Sequence, residues 1–539
     1  MARISPDLAD ESFNQPKPLA DINLFDGDVA LVESCGREGL GEGLHAFGAT
    51  LGTAQSLEDG VLANRFAPEL DTHDRGGRRI DVVRYHEAYH RLMRRAVEAG
   101  LHASPWTRPG PGAHGARAAG FYMQTQVEAG HLCPITMSFA ATASLRHAPS
   151  LAAEWLPKLH ATIYDPANVP AAAKAGVTMG MAMTERQGGS DVRANVTRAV
   201  PQGDGAYAIT GHKFFLSAPM SDAFLMLAQA PSGLTCFLAP RWRPDGRKNE
   251  IELIRLKQKM GNRSNASAET EWRGALGHRI GEEGRGVATI LEMVAMTRFD
   301  CVVGSAAGMR WASAQTIDWA RQRRTFGAVL ATHPVMANVL ADLAVESEAA
   351  LVLAMRLARA LDSGERALLR IALPLAKYWV CKRAPAHAYE AMECFGGLGF
   401  MEDSPMPRLY REAPVNAIWE GSGNIQALDV IRAIKRADGA LEALFKEIDE
   451  ARGAHRALDE EAAALRRDCA DVAGFERRAR ELCDRLAVAL QASLLTRAAP
   501  DMIARAFVAG RLDAKGAHHY GALPIECQCP AIVDRAAAR

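Results

Sequence analysis

The sequence predicts a mainly α protein with a central β domain, and three observations carry that expectation. Up to about residue 182, apolar positions recur at helical spacing, as in RYHEAYHRLMRRAVEAGL (84–101) and SFAATASLRHAPSLAAEWLPKL (138–159). From 183 the texture changes to short β-rich runs divided by turn residues: VTRAVPQGDGAYAITGHKFFLSAP (196–219), DAFLMLAQAPSGLTCFLAPR (222–241) and IELIRLKQKMG (251–261). After GEEGRGVATILEMVAMTRFD (281–300) long helical stretches return.

In chain order, residues 1–182 form an expected N-terminal helical domain, interrupted by Gly/Pro-rich stretches such as TRPGPGAHG. Residues 183–285 form the β domain, with QGDG as a hairpin turn. Residues 286–438 carry GMRWASAQTIDWARQRRTF, HPVMANVLADLAVESEAALVLAMRLARAL and LLRIALPLAKYWVCKRAPAHAYEAMECF, lengths that suit a four-helix bundle. Residues 439–539 read as a further helical extension rich in Ala, Arg and acidic residues. No repeat of fixed period is visible.

Composition excludes several classes. A chain of 539 residues with 48% hydrophobic and 23% charged content is ordinary globular protein, too long for one core. Lys+Arg and Asp+Glu both number 63, so no global field draws in nucleic acid or anionic lipid, and such a partner needs a local patch. The opening MARISPDLADESF carries acids and has no apolar core, unlike an export signal, and no run reaches bilayer-spanning length. The ten cysteines, single except for Cys527 and Cys529, then read as reduced thiols in a cytoplasmic protein without membrane contact.

His86-Glu-x-x-His90 has the form of a zinc-protease motif. A zinc site needs a third ligand, and the following helical positions are Met93, Ala96 and Val97, while Arg84 and Arg91 flank the pair. The expectation is a partly buried helix and no metal.

Four other stretches, in order, occupy this helix–β–helix layout: AMTERQGGSDV (182–192), GHKFFLSAP (211–219), RQRRTFG (321–327) and ECFGGLGFMEDSPMPRLYREAPVNAIWEGSGNIQ (393–426). Together they resemble the acyl-CoA dehydrogenases, which implies that family's fold (helical bundle, β-barrel or sandwich, helical bundle) and bound FAD. The resemblance implies that Met183, Thr184 and Ser190 meet the flavin ring and pyrophosphate, and that Phe215, where the family commonly has Trp, packs on the flavin with Ser217. Arg323, Thr325 and Phe326 match a helix end that reaches the cofactor of a neighbouring subunit, where an arginine fork suits a diphosphate. Gly396 and Gly397 match the turn that lets adenosine approach, with Glu393 in place of the usual Gln. Ser422 and Asn424 are the implied partners of FAD on the last turn.

Glu420 in IWEGSGNI aligns with the family's catalytic base, which removes the α-proton of an acyl-CoA thioester while the β-hydrogen leaves as hydride. Burial is expected to raise its pKa. The bland alternative is a helix-capping or surface acid. Thr297 stands where some members carry the base on an earlier helix, and Arg298 resembles the family's CoA-contacting arginine; Asp300 reads as a helix-surface or salt-bridging acid. Trp419 replaces the usual Tyr before the base and is expected to narrow the acyl site, leaving weak turnover of short or branched acyl-CoA.

The tail, with FNQPKPLADINLFDGD (13–28), LGTAQSLEDGVLANRFAPEL (51–70) and VEAGHLCPITMSFAATASL (127–145), resembles the AidB-like adaptive-response subgroup. That implies a homotetramer, double-stranded DNA binding, protection against alkylation, and feeble isovaleryl-CoA-like dehydrogenase activity. From 441 to 539 there are 15 Lys+Arg against 16 Asp+Glu, so composition alone does not suggest nucleic acid. Arg432, Lys435 and Arg436, at helical i, i+3, i+4 spacing, are the candidate DNA contacts. Three alternatives stay open: a genuine short- or branched-chain acyl-CoA dehydrogenase with no DNA role, an enzyme acting on another small electrophile, and an oxidase passing electrons to oxygen.

Overall fold

The computed structural model describes residues 14–538 except 38, 42, 437, 472 and 514–518; the opening stretch 1–13 lies outside the described residues. The chain divides into two compact units, Gln55–Asp300 and Met1–Ala54 with Cys301–Arg539.

In the Gln55–Asp300 unit, an N-terminal helical part precedes the β domain. The helix Glu87–Glu98 buries Ala88, Tyr89, Leu92, Met93, Ala96 and Val97, the i, i+3, i+4 stripe seen in the sequence. The second periodic stretch is two helices, Leu132–Leu145 and Pro149–Leu159, broken just before a proline that is tolerated in a first turn. One hairpin interrupts this expected helical region: β1 (Glu69–His73) pairs antiparallel with β2 (Arg79–Arg84). The alternation in RIDVVR and the DRGG turn before it are its signal in the sequence.

The β domain is a seven-stranded sheet of β3 (Met179–Ala182), β4 (Arg198–Gly203), β5 (Ala206–Ser217), β6 (Ala223–Ala230), β7 (Gly233–Pro240), β8 (Ile251–Leu256) and β9 (Ser267–Ile280), in the order β3-β5-β4-β6-β7-β9-β8. The QGDG turn joins β4 to β5 with Asp204 and Gly205 both at positive φ, +51° and +74°, matching the twist of a tight hairpin. β6 is buried along nearly its whole length because both faces are covered. Tyr207, Ile209, Phe224, Phe237 and Trp272 fill one side of the sheet, and Leu225, Leu227, Leu238 and Ile280 fill the other against Met137, Leu145 and Leu159 of the helices. Each fully buried large apolar side chain there contributes about 2 kcal/mol.

In the other unit the long helices Pro334–Asp362, Arg366–Cys394, Gly423–Lys435 and Phe475–Ala498 lie together, the last from the C-terminal extension. The extension is helical through Val508, and Cys529–Ala536 packs back on Pro334–Asp362. Arg511 ties it down by reaching Asp342 and Glu346. Cys527 and Cys529 are half-buried thiols.

Among the described residues no helix is long and apolar enough to cross a membrane.

Candidate active site

On the β-domain unit, the two sequence stretches 182–192 and 211–219 lie side by side. Met181 pairs with Ser217, and the Phe214 amide donates to the Thr184 carbonyl at 2.9 Å. Beneath this loop sits a buried ion pair that neither stretch announces. Lys213 Nζ donates to Glu185 Oε1 and to the Leu227 carbonyl, both at 2.8 Å. Glu185 also accepts from the amides of Val196 and Thr197. Burial pushes the Glu185 carboxyl up, but Lys213 and these hydrogen bonds outweigh it and hold it at about 2.

The loop above this anchor carries the predicted residues. Met183 is partly buried against the core, and its carbonyl accepts from Asn195. Ser190 is exposed, and Gly189 is required by Thr184, since a Cβ there would stand 2.5 Å from Thr184 Oγ1. Phe215 presents 41% of its surface on the strand. Lys257 Nζ lies 3.2 Å from the Phe214 ring centroid and 4.9 Å from that of Phe215. In the same unit Thr297 is buried and returns its hydroxyl to the Val294 carbonyl of its own helix, while Arg298 is half-buried. Asp300 is no helix-surface acid. It is buried and paired with Arg117, because a guanidinium inside the core needs a carboxylate.

The other unit carries the remaining residues. Arg323 leads into a two-residue-per-strand hairpin, β10 (Arg324–Thr325) and β11 (Ala328–Val329). Its guanidinium donates to the Asn14 carbonyl and lies over Trp319, which stacks on Phe395. Thr325 contacts His333, and Phe326 at the tip has φ +49° and is wholly exposed. Its one ring contact among the described residues is edge-on with His333, at 6.2 Å between centroids.

A Cβ added at Gly396, where φ is +61°, or at Gly397 would meet nothing within 4 Å, whereas a Cβ at Gly399 would meet the Met392 carbonyl oxygen at 2.1 Å. The predicted pair is thus open backbone, and Gly399 is the glycine that the fold itself demands.

Glu420 occupies a turn unlike a helix cap. The cap of Gly423–Lys435 is Ser422, and Glu420 stands before it at φ +58°. A left-handed non-glycine costs about 1–2 kcal/mol, so the surroundings must impose it. Lys377 Nζ donates to the carbonyls of Trp419 and Gly421, each at 2.6 Å, and Gln426 Nε2 donates to those of Glu420 and Gly421, each at 3.0 Å. The N-cap position of that helix thus belongs to Ser422 and not to Glu420. Trp419 is fixed in turn by its indole N–H on Asn416 Oδ1 at 2.9 Å, and Asn416 donates to Ser305. Asn424 Oδ1 accepts from Arg480 of the extension.

At the far end of the same helix, Arg432, Lys435 and Arg436 are exposed where cations complement the helix dipole. Arg432 also pairs with Asp429 at 3.2 Å. Far from all of this in sequence, His86 caps Glu87–Glu98 by accepting from the Ala88 amide, and His90 Nδ1 bonds the Tyr164 hydroxyl at 2.9 Å.

The FAD implied by the motifs can be tested against these residues. The hydroxyls and aromatic face of the Gln55–Asp300 unit suit a flat ring system, and, taken by themselves, the arginine and uncovered glycine backbone of the other unit suit a diphosphate and an adenosine.

Comparison with known proteins agrees. Residues 14–166 match the N-terminal domain of adaptive response protein AidB, 180–274 the acyl-CoA dehydrogenase middle domain, and 284–435 its C-terminal domain. AidB of Escherichia coli K12, which carries an acyl-CoA dehydrogenase name, is 46% identical over 94% of each chain. Acyl-CoA dehydrogenase family member 11 of Caenorhabditis elegans is 31% identical over 73% of this chain and 66% of its own. The crystal structure of C. elegans ACDH-11 in complex with C11-CoA superposes with a TM-score of 0.85 at 26% identity, covering 96% of this chain and 94% of that one. The chain belongs to the acyl-CoA dehydrogenase family of FAD-dependent oxidoreductases, in its AidB-like subgroup.

Proposed function

We propose that the protein is a flavoprotein of the AidB type that binds double-stranded DNA in the cytoplasm as a homotetramer and protects it against alkylation, with only weak acyl-CoA dehydrogenase activity. The observation that carries this reading is the helix Gly423–Lys435, which presents the Glu420 turn at one end and exposed Arg432, Lys435 and Arg436 at the other. Phosphate contact by those three is independent of base sequence.

Met183, Thr184, Ser190, Phe215, Ser217, Gly396, Gly397, Ser422 and Asn424 are the residues that would hold FAD, Arg323, Thr325 and Phe326 would reach that of a neighbouring subunit, and bound FAD would supply the acceptor for a substrate hydride. The protein's own part is to bind, orient and deprotonate. Arg298 and the backbone around Thr297 hold the CoA ester. Glu420 takes the α-proton, and the closed turn keeps its carboxylate in one direction. The Trp419 indole, fixed by Asn416, narrows the acyl site and disfavours long chains. Acyl-CoA as ligand is supported by the C11-CoA complex of the C. elegans relative.

A second reading, a short- or branched-chain acyl-CoA dehydrogenase without a DNA role, is favoured by the intact Glu420 turn. One preparation separates the two. Under the first reading the protein is yellow, isovaleryl-CoA bleaches its flavin more slowly than about one per second, and duplex DNA affinity falls steeply with salt. Bleaching faster than that, with no duplex binding at about 50 mM salt, decides for the second.

A further inference from the structure

Lys377 stands out because no motif contains it. It lies inside the helix Arg366–Cys394, in a stretch where Leu373, Leu375, Ala376 and Tyr378 are buried too, and only 1% of its surface is exposed. A lysine buried among apolar side chains needs a specific reason, because removing its charge from water is costly. Both hydrogen bonds it makes go to carbonyls, those of Trp419 and Gly421, which flank Glu420 on either side. Neutral carbonyls satisfy two of its three protons without cancelling its charge. Gln426, also buried, holds the Glu420 and Gly421 carbonyls, so three successive carbonyls are fixed from two helices.

We infer that Lys377 is a positioning residue for the base: it locks the left-handed turn that aims the Glu420 carboxylate, and its charge favours the ionised, proton-accepting form. The inference rests on the reading of Glu420 as the base. Direction comes from the backbone, since φ and ψ at Glu420 set where its Cα–Cβ bond points. Electrostatic bias comes from a cation placed where little water screens it. Titratable groups near the turn among the described residues include Cys381 and Lys382 on the same helix, Tyr378 beside Cys483 and Asp484, and Arg480, which reaches Asn424. Burial raises the Cys381 thiol, and the Lys377 charge opposes that rise.

The test is anaerobic single-turnover reduction of the flavin by isovaleryl-CoA across pH, in the full-length holoprotein and in K377M, K377R, Q426L and E420Q. K377M is expected to lower the limiting rate about a hundredfold, within the range of a general base's contribution. Its half-saturating isovaleryl-CoA concentration and flavin content should stay within about twofold, and the acid limb should move up by about one pH unit. K377R, which keeps the charge and donors, should restore most of the rate and the limb. Q426L removes neutral hydrogen bonds only, so its rate should fall while the limb stays. Should K377M not fold, K377Q takes its place with the same expected shift.

A lysine variant that is folded, flavin-loaded and unchanged in both rate and limb overturns the inference while E420Q remains inactive. If E420Q bleaches its flavin at the wild-type rate, the base assignment itself fails. The two failures are therefore distinct.

Discussion

Arg117 and Asp300 stand 183 residues apart and meet as a buried two-pronged ion pair, with Arg117 Nη2 2.7 Å from Asp300 Oδ2. The Thr136 hydroxyl donates to the same carboxylate oxygen at 2.7 Å, and the Arg117 guanidinium lies over the Phe139 ring. Asp300 thereby joins its own helix to two helices of the N-terminal part. Asp300→Ala leaves a guanidinium in the core without its carboxylate, and is expected to cost about 3–5 kcal/mol. Urea unfolding with an unmoved midpoint would show that the pair contributes nothing.

Acid should loosen the unit that carries the extension. Burial pushes the Glu346 carboxyl up, but Arg383 and Arg511 outweigh it and hold it at about 2, below its ordinary 4.5. A depressed carboxylate contributes stability that is complete above about 4.5 and is lost as pH falls towards 2. Glu346→Gln should therefore lower the stability at neutral pH by about 1–3 kcal/mol. It should also flatten the fall between about pH 5 and 2, and calorimetry in that window checks the sign.

The three glycines of 396–399 should separate fold from cofactor. Gly399→Ala drives a methyl into the Met392 carbonyl and is expected to cost about 1–3 kcal/mol. Gly397→Ala meets no atom within 4 Å, so its melting temperature should match wild type while FAD retention drops. Equal flavin content in the Gly397 variant would move the adenosine contact elsewhere.

How much of this is legible in the sequence depends on how local each signal is. The β4–β5 turn, the amphipathic stripe of Glu87–Glu98 and the four motif stretches are written in neighbouring residues. Lys377 is not, because its partners come more than forty residues later and a lysine at helical spacing reads as a solvated face. The burial of Asp300 is hidden for the same reason, its arginine lying far upstream. The β1–β2 hairpin is masked by its helical context although RIDVVR alternates. The Glu185–Lys213 anchor is equally concealed, since either residue alone looks like surface charge.

If Trp419 restricts the acyl site, Trp419→Tyr should speed flavin reduction by isovaleryl-CoA about tenfold, the scale on which pocket size discriminates small apolar groups. The Asn416 contact would be lost with the indole, so Asn416→Ala serves as a control for altered packing. A tyrosine variant no faster than wild type would place the cause of weak turnover elsewhere.

The base assignment is tested most directly by mixing isovaleryl-CoA anaerobically with the flavin-loaded protein and its Glu420→Gln variant and following the flavin absorbance. Slow bleaching in the wild type and at least a hundredfold less in the variant, about the share general-base catalysis supplies, is the predicted result. A colourless protein that takes up no FAD, or a variant that bleaches as fast as wild type, would contradict it.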